Sequence, residues 1–199
     1  LNRTGAASAL SLNFAGQIKG DFDIILEFKD LEIGDEQPTW HCGAGMAVSI
    51  ENKSHDRMDI VRRRDRLSRH HHIALSHNHV NRFGGVDWIR DTTHIDESVA
   101  GRMRMIRQGD VIYGLYADGD SQCFRLLDKE TIEPGTISVD GLRLYTIAGK
   151  GMNCEVTLVR LDVRAEAIDF PAKPDSPVFK IIDATSPNPN PSRPISGTF

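Results

Sequence analysis

AGRMRMIRQGDVIYGLYADGDSQCFRLLD, residues 100–128, is the stretch that decides the fold. It reads as three short strands joined by two tight turns. Arg102, Arg104 and Ile106 alternate with Met103, Met105 and Arg107, and Gln108-Gly109-Asp110 then turns the chain. Val111 to Ala117 is rich in β-branched and aromatic residues, and Asp118-Gly119-Asp120 turns it again into Cys123 to Leu127. Alternation bounded by Asp-Gly and Gly-Asp pairs is the strongest short-range hairpin signal a sequence offers. The stretch predicts an antiparallel meander.

The flanks carry the same period. From Asp21 to Leu31, Phe22, Ile24, Leu26 and Phe28 share one face while Asp21, Asp23, Glu27 and Lys29 share the other, as a half-buried antiparallel strand requires. Ala9 to Phe14, Gly43 to Ile50, Arg57 to Arg64, Arg69 to Val80, Gly141 to Ala148 and Cys154 to Ala165 are further predicted strands. The small residues of Gly43 to Ile50 point to close packing against a neighbour or to a bulge. Asn81 to Asp96 reads as a loop with a short strand around Val86 to Ile89. No amphipathic helix and no internal repeat is visible, so the fold class is all-β.

A chain of 199 residues is about the size of one large all-β domain, and 39% apolar content is ordinary for a globular protein. A net charge of −4 disfavours a generally basic nucleic-acid binder while permitting a local basic patch. No window approaches the ~18 apolar residues of a membrane helix. The chain opens at Leu1, which leaves a removed leader and a segment of a longer polypeptide as alternatives. Seven of the nine prolines lie between Pro171 and Pro194, so residues 171–199 read as an extended tail or linker after a sandwich over residues 1–170. Val178, Phe179, Ile181 and Ile182 interrupt that tail and offer a way for it to dock. Cys42, Cys123 and Cys154 form no metal-type spacing, and Cys123 and Cys154 fall in predicted strands as small buried thiols.

Four groups of residues could carry chemistry. The first is RHHHIALSHNH, residues 69–79, where His71, His77 and His79 share one face of a strand. His77 and His79 stand ~6.6 Å apart at the backbone, a spacing that can chelate Zn²⁺; the plainer reading is a solvated polar strand. The second is the arginine run from Arg57 to Arg69, whose Arg62 and Arg64 could grip carboxylate, sulfate or phosphate with paired N–H donors. Cross-strand salt bridges are its plainer reading, and the aromatic interleaving of a single-strand nucleic-acid binder is missing. Third, the Asp118-Gly119-Asp120 and Gly109-Asp110 turns could offer oxygens to Ca²⁺, although hairpin formation explains them. Last are Trp40 and Trp88, beside predicted loops, where an exposed indole can stack on a sugar ring. Paired carboxylates do not fit a glycosidase: Asp23 and Glu27 are ~13 Å apart by strand rise, beyond the range of either glycosidase geometry.

The succession from Gly20-Asp21-Phe22 to Phe28, then Gly101-Arg102-Met103-Arg104-Met105-Ile106-Arg107-Gln108-Gly109-Asp110, resembles concanavalin A-like (laminin G-type) jelly rolls. So does the ending, Gly141-Leu142-Arg143-Leu144-Tyr145 followed by Val156 to Ala165. More narrowly, the chain resembles a lectin-like domain of unknown function found near the C-termini of large bacterial proteins. The resemblance covers residues 9–166 and implies two antiparallel sheets packed face to face. Jelly-roll glycosidases of that superfamily carry a Glu-x-Asp-x-(x)-Glu strand, which is absent here. The expectation is an antiparallel two-sheet jelly-roll sandwich with an extended Pro-rich tail. It would serve as a non-catalytic carbohydrate-binding or interaction module of a larger or processed extracytoplasmic protein, periplasmic or secreted. Carbohydrate, or another protein chain, is the expected partner. A structural or assembly domain is the alternative, and a glycoside-processing enzyme the disfavoured third. No cofactor is demanded, with Ca²⁺ and Zn²⁺ the two ions the residues could hold.

Overall fold

The computed structural model describes residues 7–34, 42–52, 55–64, 70–80, 86–149, 152–170 and 179–186. These contain twelve strands and no helix: β1 (Ala7–Phe14), β2 (Gln17–Ile33), β3 (Cys42–Glu51), β4 (Asp56–Arg64), β5 (His71–Val80), β6 (Val86–Ile95), β7 (Gly101–Gln108), β8 (Val111–Asp118), β9 (Arg125–Thr131), β10 (Thr136–Ala148), β11 (Cys154–Asp169) and β12 (Phe179–Ser186). Every pairing between them is antiparallel. The central meander is present as β7, β8 and β9, and Gly109 and Gly119 turn it with φ of 62° and 46°. That left-handed region favours glycine.

The strands fall into two layers. The larger runs β6-β5-β4-β3-β10-β1-β12, and the smaller runs β11-β2-β7-β8-β9. One residue pair, Ile137 with Ile18, joins them where β10 begins, just before β10 shifts register between Ile137 and Leu142. The core lies between the layers. Met46, Val48, Met58, Ile60, Ile73 and Leu75 of the larger sheet face Ile24, Leu26, Met103, Met105 and Ile112 of the smaller, and all are buried. Each such side chain contributes about 1.5–3 kcal/mol by leaving water. Gly114 shows how close the layers come: a Cβ there would stand 2.7 Å from Leu75 Cδ1. Two antiparallel sheets around one apolar core make a β-sandwich.

One edge of this sandwich is closed by polar contacts. Thr92 Oγ1 of β6 donates to Asp128 Oδ2 of β9 at 2.5 Å, and Arg90 pairs with Asp128 at 2.8 Å and with Glu130 at 3.1 Å. This explains why β6 runs on to Ile95 instead of stopping near Ile89. Asp91, Thr92, Thr93 and His94 look like a loop by composition, yet Thr92 has a polar partner across the edge and Asp91 has them on its own sheet.

The third meander strand starts later than the sequence suggests. Ser121 Oγ accepts from the Cys123 N–H at 3.2 Å and donates to its carbonyl, and this local ring keeps Cys123 outside the ladder and exposed. In the tail, Phe179–Ser186 pairs along all of β1, so residues read as interruptions of a linker form a strand of the larger sheet. The seven tail prolines lie outside the described residues.

Candidate functional site

Strand β3 is built on alternation. Cys42, Ala44, Met46, Val48 and Ile50 point into the core, which leaves Gly43, Gly45, Ala47 and Ser49 on the outer face. The neighbours approach this strand closely: a Cβ on Gly45 would stand 2.3 Å from the Ile60 carbonyl oxygen, and one on Gly43 would stand 2.1 Å from that of Arg62. The outer face of the larger sheet therefore has a low strip along β3, flanked by long polar side chains of β4 and β10.

Register aligns those side chains in rungs. Asn13, Arg143, Ala47, Asp59, Ser76 and Asp91 follow one another across β1, β10, β3, β4, β5 and β6. The next rung is Ser11, Tyr145, Gly45, Val61, Ala74 and Thr93. On the other side of the first, Ser49 pairs with Arg57, Arg57 with Asn78, and Asn78 with Trp88. Polar residues that would ordinarily face water dominate this surface, and Asp59, Ser76, Asn78 and Arg63 are all buried.

Asp59 is the hub. Its Oδ1 accepts from Arg57 Nη2 at 2.7 Å and from Tyr145 Oη at 3.1 Å, and its Oδ2 accepts from Asn78 Nδ2 at 3.5 Å. Tyr145 reaches it by crossing the low strip of β3. Beside the hub, Arg63 Nη2 donates to Asp91 Oδ2 at 2.5 Å while Ser76 Oγ donates to Asp91 Oδ1 at 2.7 Å.

The electrostatics follow from burial and from this pairing. Burial, then the neighbouring Asp59 carboxylate, push the Tyr145 hydroxyl well above its ordinary value, so it is a fixed donor. Burial, then repulsion from Arg57, bring Arg143 down to about 10. Burial also works against the Arg57 charge, but Asp59 and Tyr145 outweigh it and raise that pKa. Arg57 Nε and Asn78 Oδ1 lie beneath the surface without a hydrogen-bond partner.

The residues singled out from sequence fall elsewhere for the most part. Arg62 points inward and is fully buried. It donates to the Ser98 carbonyl from Nε at 3.2 Å and Nη2 at 3.0 Å, and pairs with Asp96 at 3.2 Å. Arg64 donates from Nη1 to the Gly34 carbonyl at 3.1 Å. Both hold connections at one end of the sandwich, and Arg62 presents nothing to a ligand. Trp40 lies outside the described residues. Trp88 ends the Ser49-Arg57-Asn78 rung by backbone register.

The three histidines do not converge. His77 is buried, with Nε2 3.0 Å from Asp56 Oδ1 and Nδ1 3.6 Å from Glu130 Oε2, and His79 Nδ1 stands 4.0 Å from Asp56. His71 lies six residues away along the strand, ~20 Å by strand rise, beside Glu97. Among the described residues no group of three or more His, Cys, Asp or Glu is placed to hold a metal ion. Asp118 pairs with Arg125 across the hairpin turn. All three cysteines are free. Cys42 Sγ donates to the Asn153 carbonyl at 3.7 Å; the neighbouring Cys154 thiol lowers the Cys42 pKa, and Cys42 together with burial raises that of Cys154.

Sequence reading missed Asp59, Asn78, Arg143 and Tyr145. The available signal was the alternation of small residues at 43, 45, 47 and 49, which marks a strip that neighbouring side chains can cross.

A model of the family described as "Protein of unknown function (DUF1583) C domain" matches residues 1–186. No curated protein matches the chain. Among solved structures, a functionally unknown protein from Saccharomyces cerevisiae superposes with a TM-score of 0.47 at 15% identity, over 76% of this chain and 72% of that one. A legume lectin-like domain from Entamoeba histolytica gives 0.40 at 14% identity, over 74% and 73%. An alginate lyase from Klebsiella pneumoniae gives 0.39 at 14% identity, over 76% and 60%.

Proposed function

The chain belongs to the DUF1583 C-domain family, whose function is unknown, and from that premise we propose that it is a non-catalytic carbohydrate-binding module. In this reading the sandwich is of the concanavalin A-like type, and the outer face of its larger sheet is the binding face. One observation carries the reading: a rung that is polar at every position but Ala47, Asn13-Arg143-Ala47-Asp59-Ser76-Asp91, runs across six strands. Saccharides present hydroxyls at many angles, and a rigid sheet face lined with amides, guanidiniums and hydroxyls offers donors and acceptors at fixed positions. Trp88, which ends the neighbouring rung by backbone register, is the residue we propose for stacking on a sugar ring, as indoles do. An extracytoplasmic setting, where polysaccharides are met, goes with this role.

A glycan array on the folded chain, run with and without EDTA, tests the reading. Saturable binding that falls when Asn78 is replaced by Ala supports it. Loss of binding in EDTA would bring a metal ion into the site. A blank array would favour the second reading, a module that assembles with other chains. That alternative has an observation of its own: Leu158 and Val159 are exposed on β11, at the margin of the smaller sheet.

A further inference from the structure

We propose that two copies of this chain associate edge to edge, β11 of one pairing antiparallel with β11 of the other about a two-fold axis at Val163. The pairing lies in the smaller sheet, goes beyond the carbohydrate reading and does not depend on it.

The edge comes first. Of the smaller sheet's two outer strands, β9 is tied to β6 through Thr92, Arg90 and Asp128. The other, β11, runs for 16 residues, and among the described residues it pairs only with β2. An uncapped strand presents a row of backbone donors and acceptors to a second strand of matching pattern. The apolar side of β11 is also incompletely covered. Leu161, Val163, Ala165 and Ile168 are half-buried, whereas the β2 residues beside them, Leu26, Ile24, Phe22 and Ile18, are buried. Core residues therefore meet water along β11, and a strand laid against it covers them.

Charge identifies that strand. Between Arg160 and Glu166 the sequence reads Arg-Leu-Asp-Val-Arg-Ala-Glu, so Arg160, Asp162, Arg164 and Glu166 alternate in sign while Leu161, Val163 and Ala165 turn to the core. With Val163 on the axis, Asp162 stands opposite Arg164 of the second copy, Arg160 opposite Glu166 of the second copy, and Leu161 opposite Ala165 of the second copy. Each contact occurs twice by symmetry. Residues directly opposite stand ~5 Å apart at Cβ, within reach of an ion pair. Moving the axis to Asp162 sets Asp162 against itself and Arg160 against Arg164; moving it to Arg164 sets Asp162 against Glu166. Like charges directly opposite destabilise a sheet, so the pattern selects the Val163 register.

Charged side chains also blunt an edge against chance partners. A set of one sign would repel a second copy, whereas this set is complementary to itself. Its members are available: Arg160 is exposed and bonded only to Asp162 of its own strand, at 2.8 Å, and Arg164 and Glu166 are exposed and carry no ion pair among the described residues. Glu166 turns back over Gly20 of β2, where no side chain holds it. Register shifts between Leu158 and Arg160 and between Ala165 and Ala167 bound the regular segment. The contact is therefore short, and the dimer it forms is reversible.

The experiment is sedimentation velocity of the full chain over a range of concentrations, with a reductant to keep the exposed Cys123 from linking copies. Two variants carry reversed charges. Arg160→Glu with Arg164→Glu makes the segment wholly acidic, and Asp162→Arg with Glu166→Arg makes it wholly basic. A reversible dimer of the parent is expected, and each variant alone should associate at least about tenfold more weakly. Mixed in equal amounts, the two variants should dimerise with each other, since every contact in the mixed pair is attractive again. Where circular dichroism shows a variant unfolded, amide exchange on the parent decides: β11 amides should exchange more slowly as concentration rises. A parent that stays monomeric, a dimer indifferent to both reversals, a mixture no tighter than either variant alone, or β11 exchange independent of concentration overturns the proposal. Glycan binding is read separately on the array, so the carbohydrate reading stands or falls on its own.

Discussion

Asp59 is the residue on which the outer face depends. It is buried, and the groups around it are charged or polar. Removing one partner of a buried pair is far more costly than removing a surface pair, since the remaining charge is left without compensation. Asp59→Ala is therefore expected to lower stability by about 3–5 kcal/mol in urea unfolding. Asp162→Ala, which breaks the exposed pair with Arg160 on β11, should cost less than about 1 kcal/mol. Similar costs for the two would mean that Asp59 is no hub. The thiols differ as sharply in their surroundings: Cys123 is exposed and Cys42 buried. Alkylation of the native chain with iodoacetamide should modify Cys123 first, and Cys42 only on unfolding. Rapid modification of Cys42 would contradict its placement between the sheets.

At the scale of the strand, β3 shows how small residues set a spacing. A methyl group on Gly45 would meet the Ile60 carbonyl oxygen at 2.3 Å and the Val61 Cα at 2.8 Å, so Gly45→Ala must push β3 and β4 apart. A loss of about 1–3 kcal/mol is expected from such overpacking, and an unchanged midpoint would show that the strands yield freely. The edge between β6 and β9 has its own pH dependence. Burial opposes the Asp128 charge, but Thr92, the Lys129 N–H and Arg90 outweigh it and hold its pKa below the ordinary value. A lowered folded pKa means that its stabilisation is full above the ordinary carboxylate range and is lost as pH falls through the folded value. Asp128→Asn should thus cost about 1–2 kcal/mol at neutral pH, and the difference from the parent should vanish in strong acid. A difference that persists undiminished below about pH 2 would rule out the carboxylate as its source.

For the molecule as a whole, local pattern was a good guide to the strands and a poor one to their partners. The alternation of Phe22, Ile24, Leu26 and Phe28, and the turns at Gly109 and Gly119, could be read because both signals are contained within a few residues. The six-strand rung could not. Arg143 and Asp59 are 84 positions apart and meet only through the register of β3, which nothing in either neighbourhood specifies. The arginine run misled for a related reason: alternate residues of β4 face opposite ways, so Arg62 went to the interior and Arg57 and Arg63 to the outer face. The tail was legible in part, since Phe179, Ile181 and Ile182 stood out among prolines but their pairing with β1 did not. A chain ended at residue 170 would lose β12, and its melting temperature should fall by about 4–8 °C, equivalent to about 2 kcal/mol. No change would mean that β12 adds nothing to the sheet.

The central claim is that the outer face of the larger sheet is the binding face. Backbone amide shift mapping of the full chain, titrated with an oligosaccharide bound on the glycan array, tests it most directly. The account expects saturable shifts at Arg57, Asp59, Ser76, Asn78 and Tyr145. Shifts confined to Arg102, Arg104 and Arg160 on the smaller sheet, with the β3–β4–β10 amides unmoved, would contradict it.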